Sequence, residues 1–274
     1  MAAEQIPVVF IHGLWMHSSS WDPWVSRFNE HGYLASAPGW PGDGATAAET
    51  RADPDAVAGF GIDDVVAHYA SEIAALPSAP VVIGHSFGGL ITEKLLGMGL
   101  ARGAVCLAPA QFKGILGLPL AQLRTAAPVL SRPGLRTKTW SHTADSYAAG
   151  FANAVPREES DALFEAYAIP SPARPLFQTG LANFTRNSQA TVDTKRGRGP
   201  LLLIAGGKDR TVPAATVRAA YKIQRRNPGV TEFRIFEDRS HSMPADHGWR
   251  EVADTALDFL ARNGLHSTRF QPAG

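Results

Sequence analysis

Residues 81–90 read VVIGHSFGGL, a short run of branched apolar side chains followed by Ser86 set among Gly84, Gly88 and Gly89. Glycine loses more conformational freedom on ordering than any other residue, so three of them around one hydroxyl imply a sharp turn or a close backbone approach. VVIG has the make-up of a buried strand, and FGGLITEKLL carries helix-forming residues. Strand, Gly-x-Ser-x-Gly and helix in succession is the setting of a serine nucleophile, because small residues two before and two after it let strand and helix pack closely. Such a turn holds the hydroxyl above the sheet edge, with the backbone amide of Phe87 at the helix start facing a developing oxyanion.

Outward from this stretch, short β-branched runs alternate with helical ones. VVFI (8–11), YLAS (33–36), VVIG (81–84), AVCLA (104–108), LLLIA (201–205) and EFRIF (232–236) are six strand candidates, and most are almost wholly apolar. That is the pattern of an α/β fold with a parallel sheet of about six strands covered by helices. Ile62, Val65, Val66, Tyr69, Ile73 and Leu76 share one helical face before Pro77, and Trp249, Val252, Ala253, Ala256 and Leu260 share another before Gly264. From Ala110 to Pro200 no strand is evident, only helix-like blocks broken by proline. A connection of that length predicts a helical lid over 110–199, inserted into a core formed by 1–109 and 200–264, with a flexible tail over 265–274.

Serine is a poor nucleophile at neutral pH, so the turn requires a base and a group that orients the base. KDRTVP after LLLIAGG sets Asp209 just beyond one strand end, and RSHSM after EFRIFED sets His241 just beyond the next. Serine, aspartate, histidine is the chain order expected for this kind of turn. Asp193, Asp238 and Asp246 are rival acids; Asp238 lies only three residues before His241 and is better placed to serve the turn itself. In FIHGLW, after the first strand, Gly13 lets the backbone fold over so that the amide of Leu14 could meet that of Phe87 at one oxygen.

With these motifs in place the chain resembles the α/β-hydrolase fold superfamily, in its lid-bearing serine esterase and lipase-like branch. FIHGLW, APGWPGDG, GHSFGGL, AGGKDRTVP and RSHSM follow its successive landmarks from about residue 6 to about residue 263. The resemblance implies Ser86 as nucleophile, His241 as base, Asp209 as acid, and Leu14 and Phe87 as oxyanion-hole amides. Two departures stand out. The chain starts where the family usually has its third strand, which implies a smaller, fully parallel sheet, and Gly39 occupies a position often held by aspartate.

Composition narrows the partners. The 26 basic and 25 acidic residues are scattered along 274 positions, so no sustained basic stripe exists to follow nucleic acid. The densest basic run, 195–198, reads as a solvated loop. The amino-terminal segment lacks the basic region and long apolar run of a signal peptide or membrane span, and Cys106, the one cysteine, lies in an apolar run. A cytoplasmic enzyme is the expectation. His12, His17, His85 and His247 form no metal-ligand motif, so neither metal nor cofactor is expected. Trp15, His12, Phe112 and Phe177 are the candidates for lining a substrate pocket.

The expected activity is hydrolysis of a carboxylic ester or lactone bearing a hydrophobic group, through an acyl-enzyme. A C–C bond hydrolase or cofactor-free perhydrolase could use the same triad, and a non-catalytic ligand-binding receptor could keep the fold alone. Neither the physiological substrate nor the oligomeric state is encoded in a readable way.

Overall fold

In the computed structural model, which describes residues 5–117 and 119–266, six strands form one parallel sheet. They are β1 (Pro7–Ile11), β2 (Leu34–Ser36), β3 (Val81–His85), β4 (Gly103–Leu107), β7 (Leu201–Gly206) and β8 (Thr231–Phe236), in the order β2-β1-β3-β4-β7-β8. Each sequence-derived strand is present, and every pairing in this sheet is parallel. β1, β3, β4 and β7 are buried along their whole length, which explains their continuous apolar runs; the edge strands β2 and β8 are partly exposed and carry polar residues.

Helices follow the strands and cover the sheet: α1 (Asp22–Glu30), α2 (Ala47–Ala52), α3 (Ile62–Ala74), α4 (Phe87–Gly97), α9 (Ala214–Gln224) and, after the last strand, α10 (Trp249–Arg262). α3 and α10 follow the expected spacing. Their buried faces include Ile62, Val65, Val66, Tyr69 and Ile73 in one, and Val252, Ala253, Ala256 and Leu260 in the other. α4 is buried over nearly its whole surface, as a helix lying between sheet and inserted segment must be.

One register row crosses the sheet through Ile11, Gly84, Cys106, Leu203 and Phe233. Gly13, Ser86, Asp209 and His241 all follow their row member in the chain, so the parallel arrangement delivers them to one carboxyl edge. The register thus does what the sequence order alone could not.

Between β4 and β7 the chain forms α5 (Leu120–Leu130), α6 (Ala144–Gly150), α7 (Arg157–Tyr167) and α8 (Arg174–Gly180). The expectation of no strand here needs correction. β5 (Thr139–Trp140) and β6 (Ser171–Pro172) pair antiparallel, Trp140 opposite Ser171. Two-residue strands are too short to show a period of two, and Pro172 argues against one.

Two smaller expectations also shift. Arg198, from the basic run, is half-buried and donates to Gln224 O (3.2 Å) and Thr231 Oγ1 (2.8 Å), so that loop is not wholly solvated. The start of the proposed flexible tail is tied down, since Leu265 O accepts from Tyr33 Oη at 2.8 Å; residues 267–274 lie outside the described residues. Among the described residues, no helix is long and apolar enough to cross a membrane.

Candidate active site

Ser86 stands at the junction of β3 and α4 with φ 56° and ψ −120°, a backbone region that non-glycine residues rarely enter. Its backbone is clamped there: the N–H donates to Leu107 O at 2.9 Å, and the carbonyl accepts from Ala110 N at 2.9 Å and Leu90 N at 3.2 Å. The surrounding glycines have steric reasons. A Cβ on Gly84 would sit 2.2 Å from Gly88 O, and one on Gly88 would sit 2.2 Å from Ile11 O. The elbow is therefore wedged against both β1 and its own strand, which overdetermines the strained serine.

Gly13 brings the loop after β1 onto the serine. A Cβ there would lie 2.6 Å from Ser86 Cβ and 3.3 Å from Ser86 Oγ, so only glycine permits this approach. The amides of Trp15 and Phe87 differ in their partners. That of Trp15, a residue with φ 67°, donates to Ser171 Oγ at 2.6 Å, which fastens the loop to β6. Phe87 is the first residue of α4, where an N–H has no intrahelical acceptor.

Asp209 and His241 meet as their loops foretell. His241 Nδ1 lies 2.6 Å from Asp209 Oδ2, and both side chains are fully buried. Asp209 Oδ1 accepts from the amides of Thr211 (2.8 Å) and Val212 (2.7 Å), which fixes the carboxylate and leaves Oδ2 for the imidazole. His241 Nε2 is buried with no hydrogen-bond partner among the described residues. The rival acids are engaged elsewhere. Asp246 accepts from Ser242 Oγ and Gly248 N, Asp193 from Lys195 N and Arg196 N, and Asp238 is an exposed neighbour of Arg239.

Two further histidines lie close to His241. The His85 ring centroid lies 4.4 Å from that of His241, and burial holds its pKa well below the usual histidine value. His142 stacks edge-on against Trp15 and Trp140 and is pushed down to about 3, first by burial and then by the nearby His241. Both therefore stay neutral at physiological pH. Phe151 meets the His241 ring edge-to-face at 4.7 Å. Sequence reasoning passed over His142, because an isolated histidine in an irregular segment leaves no periodic or motif signal.

Beside Ser86 lies a cavity of about 40 Å³, lined by Trp15, Phe87, Leu130, His142, Leu176 and Val212 among others. Of the four residues proposed from sequence to line a pocket, only Trp15 does so. His12 is buried nearby but held at 2.9 Å from Asp43 Oδ2, and Trp40 Nε1 donates to its carbonyl, so it braces the loop. Phe112 packs in the core, and Phe177 lines a separate opening with Arg136, Gln178 and Leu181. Their absence from this lining was invisible to sequence, because Phe112 lies outside any regular element and Phe177 is in a two-turn helix too short to show which face meets the site. At Gly39 a Cβ would come 2.9 Å from Asp43 Cβ, so in this chain Asp43 occupies the space.

A parallel sheet with a serine on a strand-to-helix elbow and a buried histidine–carboxylate pair on two later carboxyl-edge loops defines a hydrolase architecture. Residues 8–255 match the alpha/beta hydrolase family, and the chain belongs to it. Among solved structures it is similar to a monoacylglycerol lipase of Paleococcus ferrophilus (21% identity, 94% of each chain, TM-score 0.64). It is also similar to a methylesterase from Arabidopsis (18%, 94% of this chain and 99% of that one, TM-score 0.64) and a pyrethroid hydrolase from Sphingobium faniae (17%, 95% and 99%, TM-score 0.63). No curated protein matches. Among the described residues no group of three or more histidine, cysteine or acidic side chains is arranged to hold a metal ion.

Proposed function

We propose that the protein hydrolyses a carboxylic ester or lactone with a hydrophobic group by a Ser86–His241–Asp209 triad. One observation carries this reading: a buried His241 Nε2, without a partner among the described residues, on an imidazole whose Nδ1 is held by Asp209 and whose ring lies against His85, the residue before Ser86. Asp209 accepts a hydrogen bond from Nδ1–H, which keeps the proton on Nδ1, leaves Nε2 as the basic nitrogen and stabilises the imidazolium that forms. Ser86 Oγ attacks the carbonyl while its proton passes to Nε2, and the carbonyl oxygen becomes an oxyanion. The amides of Phe87 and Leu14 are the proposed donors to it, supported by the helix-start position of one and the contact of Gly13 with Ser86 for the other.

Collapse of that intermediate expels the alcohol, which takes the proton from Nε2, and leaves an acyl-serine. Water then repeats the sequence, giving its proton to His241 and releasing the acid. The segment over 110–199 acts as a lid in this reading, with Trp15 and His142 at its junction with the site. A cytoplasmic setting is part of the proposal and rests on the single buried thiol, Cys106.

The test is active-site labelling with a fluorophosphonate together with turnover of p-nitrophenyl esters. Wild type should label at Ser86 and hydrolyse the esters, and Ser86→Ala should do neither while keeping its circular dichroism. Strong labelling of Ser86→Ala would overturn the assignment.

A further inference from the structure

A second, larger cavity adjoins the one at the serine. It measures about 550 Å³ and is lined by Arg124, Thr125, Trp140, His142, Ser146 and Arg210 among others. Thr125 and His142 line both spaces, so the two border each other at these side chains. α5 presents a different face to each. Ala121, Arg124, Thr125 and Pro128, at helical spacing, line the outer cavity, while Leu123, Ala126 and Leu130 line the inner one.

The two cavities differ in size and in charge. At about 40 Å³ against about 550 Å³ the inner space is the smaller by more than tenfold, so the bulkier part of a substrate fits better in the outer one. There two guanidiniums line the wall and no carboxylate does. Arg210 is held in place by its bond to Ala149 O at 3.0 Å, which leaves its remaining N–H groups for another acceptor. Neither Arg124 nor Arg210 has an ion-pair partner among the described residues. His142 lines both spaces, the one with Ser86 and the one with the two arginines; its Nδ1 is 2.9 Å from Ser146 Oγ, while Nε2 is buried and without a partner among the described residues.

We propose that the ester cleaved at Ser86 carries a carboxylate, bound in the outer cavity by Arg124 and Arg210, with its smaller group in the inner cavity. This rests on the ester-hydrolase reading above. His142, neutral, lines both cavities and offers a hydrogen-bonding nitrogen to the polar middle of such a substrate. Guanidinium suits the task because its planar donors match a carboxylate in a paired geometry.

The experiment uses matched pairs that differ only in carboxylate against amide: 4-acetoxybenzoate with 4-acetoxybenzamide, and monomethyl adipate with methyl adipamate. One pair places the charge on the alcohol side, the other on the acyl side. In at least one pair the charged member should show kcat/KM about tenfold higher at low salt, and the advantage should shrink as salt is added. In the folded double variant Arg124→Gln, Arg210→Gln the ratio should fall to about one, the matched neutral ester serving as internal reference. No preference in either pair, or a preference that survives the double variant, overturns the inference. Calorimetric binding of the same four compounds to Ser86→Ala separates this from the reading it rests on. Charge-selective binding without turnover by wild type would refute the hydrolase and leave the anion site standing, whereas turnover of the amides alone would do the reverse.

Discussion

Asp209 Oδ2 lies 2.6 Å from Nδ1 of His241, two residues 32 positions apart in the chain and both sealed from solvent. The carboxylate reaches this position because two backbone amides of its own loop hold the other oxygen. Asp209→Asn keeps the shape but replaces an acceptor with a group that can present N–H to Nδ1. We expect kcat to fall by roughly ten-thousandfold in the ester assay with the fold retained. Asp238→Asn, at an exposed position beside Arg239, should change kcat little. Reversal of this ranking would move the triad acid to the histidine loop.

Gly13→Ala introduces a methyl group 2.6 Å from Ser86 Cβ, closer than any relaxed carbon contact. The loop after β1 must retreat and take Leu14 with it. If the Leu14 amide serves the oxyanion, kcat should fall by roughly a hundredfold or more while the melting temperature drops only modestly. A Gly13→Ala protein that melts normally and turns over at the wild-type rate would remove Leu14 from the site.

Among the described residues Glu93, on the buried α4, has no charge partner within hydrogen-bond reach; Gln224 Nε2 donates to one oxygen at 2.9 Å and the other has no partner there. Burial raises its pKa to about 8, with Gln224 and Arg198 only partly opposing the shift. The folded state therefore binds this proton more tightly than the unfolded chain, whose carboxyl titrates near 4.5. The stabilisation is complete below pH 4.5 and is lost as pH rises towards 8. Glu93→Gln should flatten that part of the profile, so that melting temperatures of the two proteins diverge at alkaline pH by several degrees. Parallel curves from pH 5 to pH 9 would show that Glu93 does not titrate there.

Cys106 sits in the middle of the sheet with its Sγ facing Gly89 O at 3.5 Å, and burial pushes its thiol well above the usual cysteine value. Iodoacetamide should leave it unmodified and leave ester turnover intact in the native protein. Alkylation at a rate typical of an exposed thiol would contradict this packing.

The sheet was legible in the sequence because its central strands are buried on both faces, which forces unbroken apolar runs that no other element at that length resembles. Ser86, Asp209 and His241 were legible as candidates for a related reason. Ser86 and Asp209 each follow such a run, His241 follows the mixed edge strand β8, and parallel strands send every following loop to the same edge. The glycines around Ser86 added a backbone signal, since only close approach justifies them.

What the chain order left open was decided by packing across long separations. Whether Asp209 or Asp246 faces His241 depends on which oxygens the loop amides occupy, and sequence carries no record of that. The small ladder of Trp140 with Ser171 lies against Trp15, and Trp15 in turn meets Trp140 and His142 through contacts more than a hundred residues apart. Phe112 and Phe177 looked equally eligible for the pocket as strings, yet only Trp15 among the proposed residues lines it. Local pattern determines which faces are apolar and where strands end; where irregular segments come to rest is set by three-dimensional complementarity, which has no period to read.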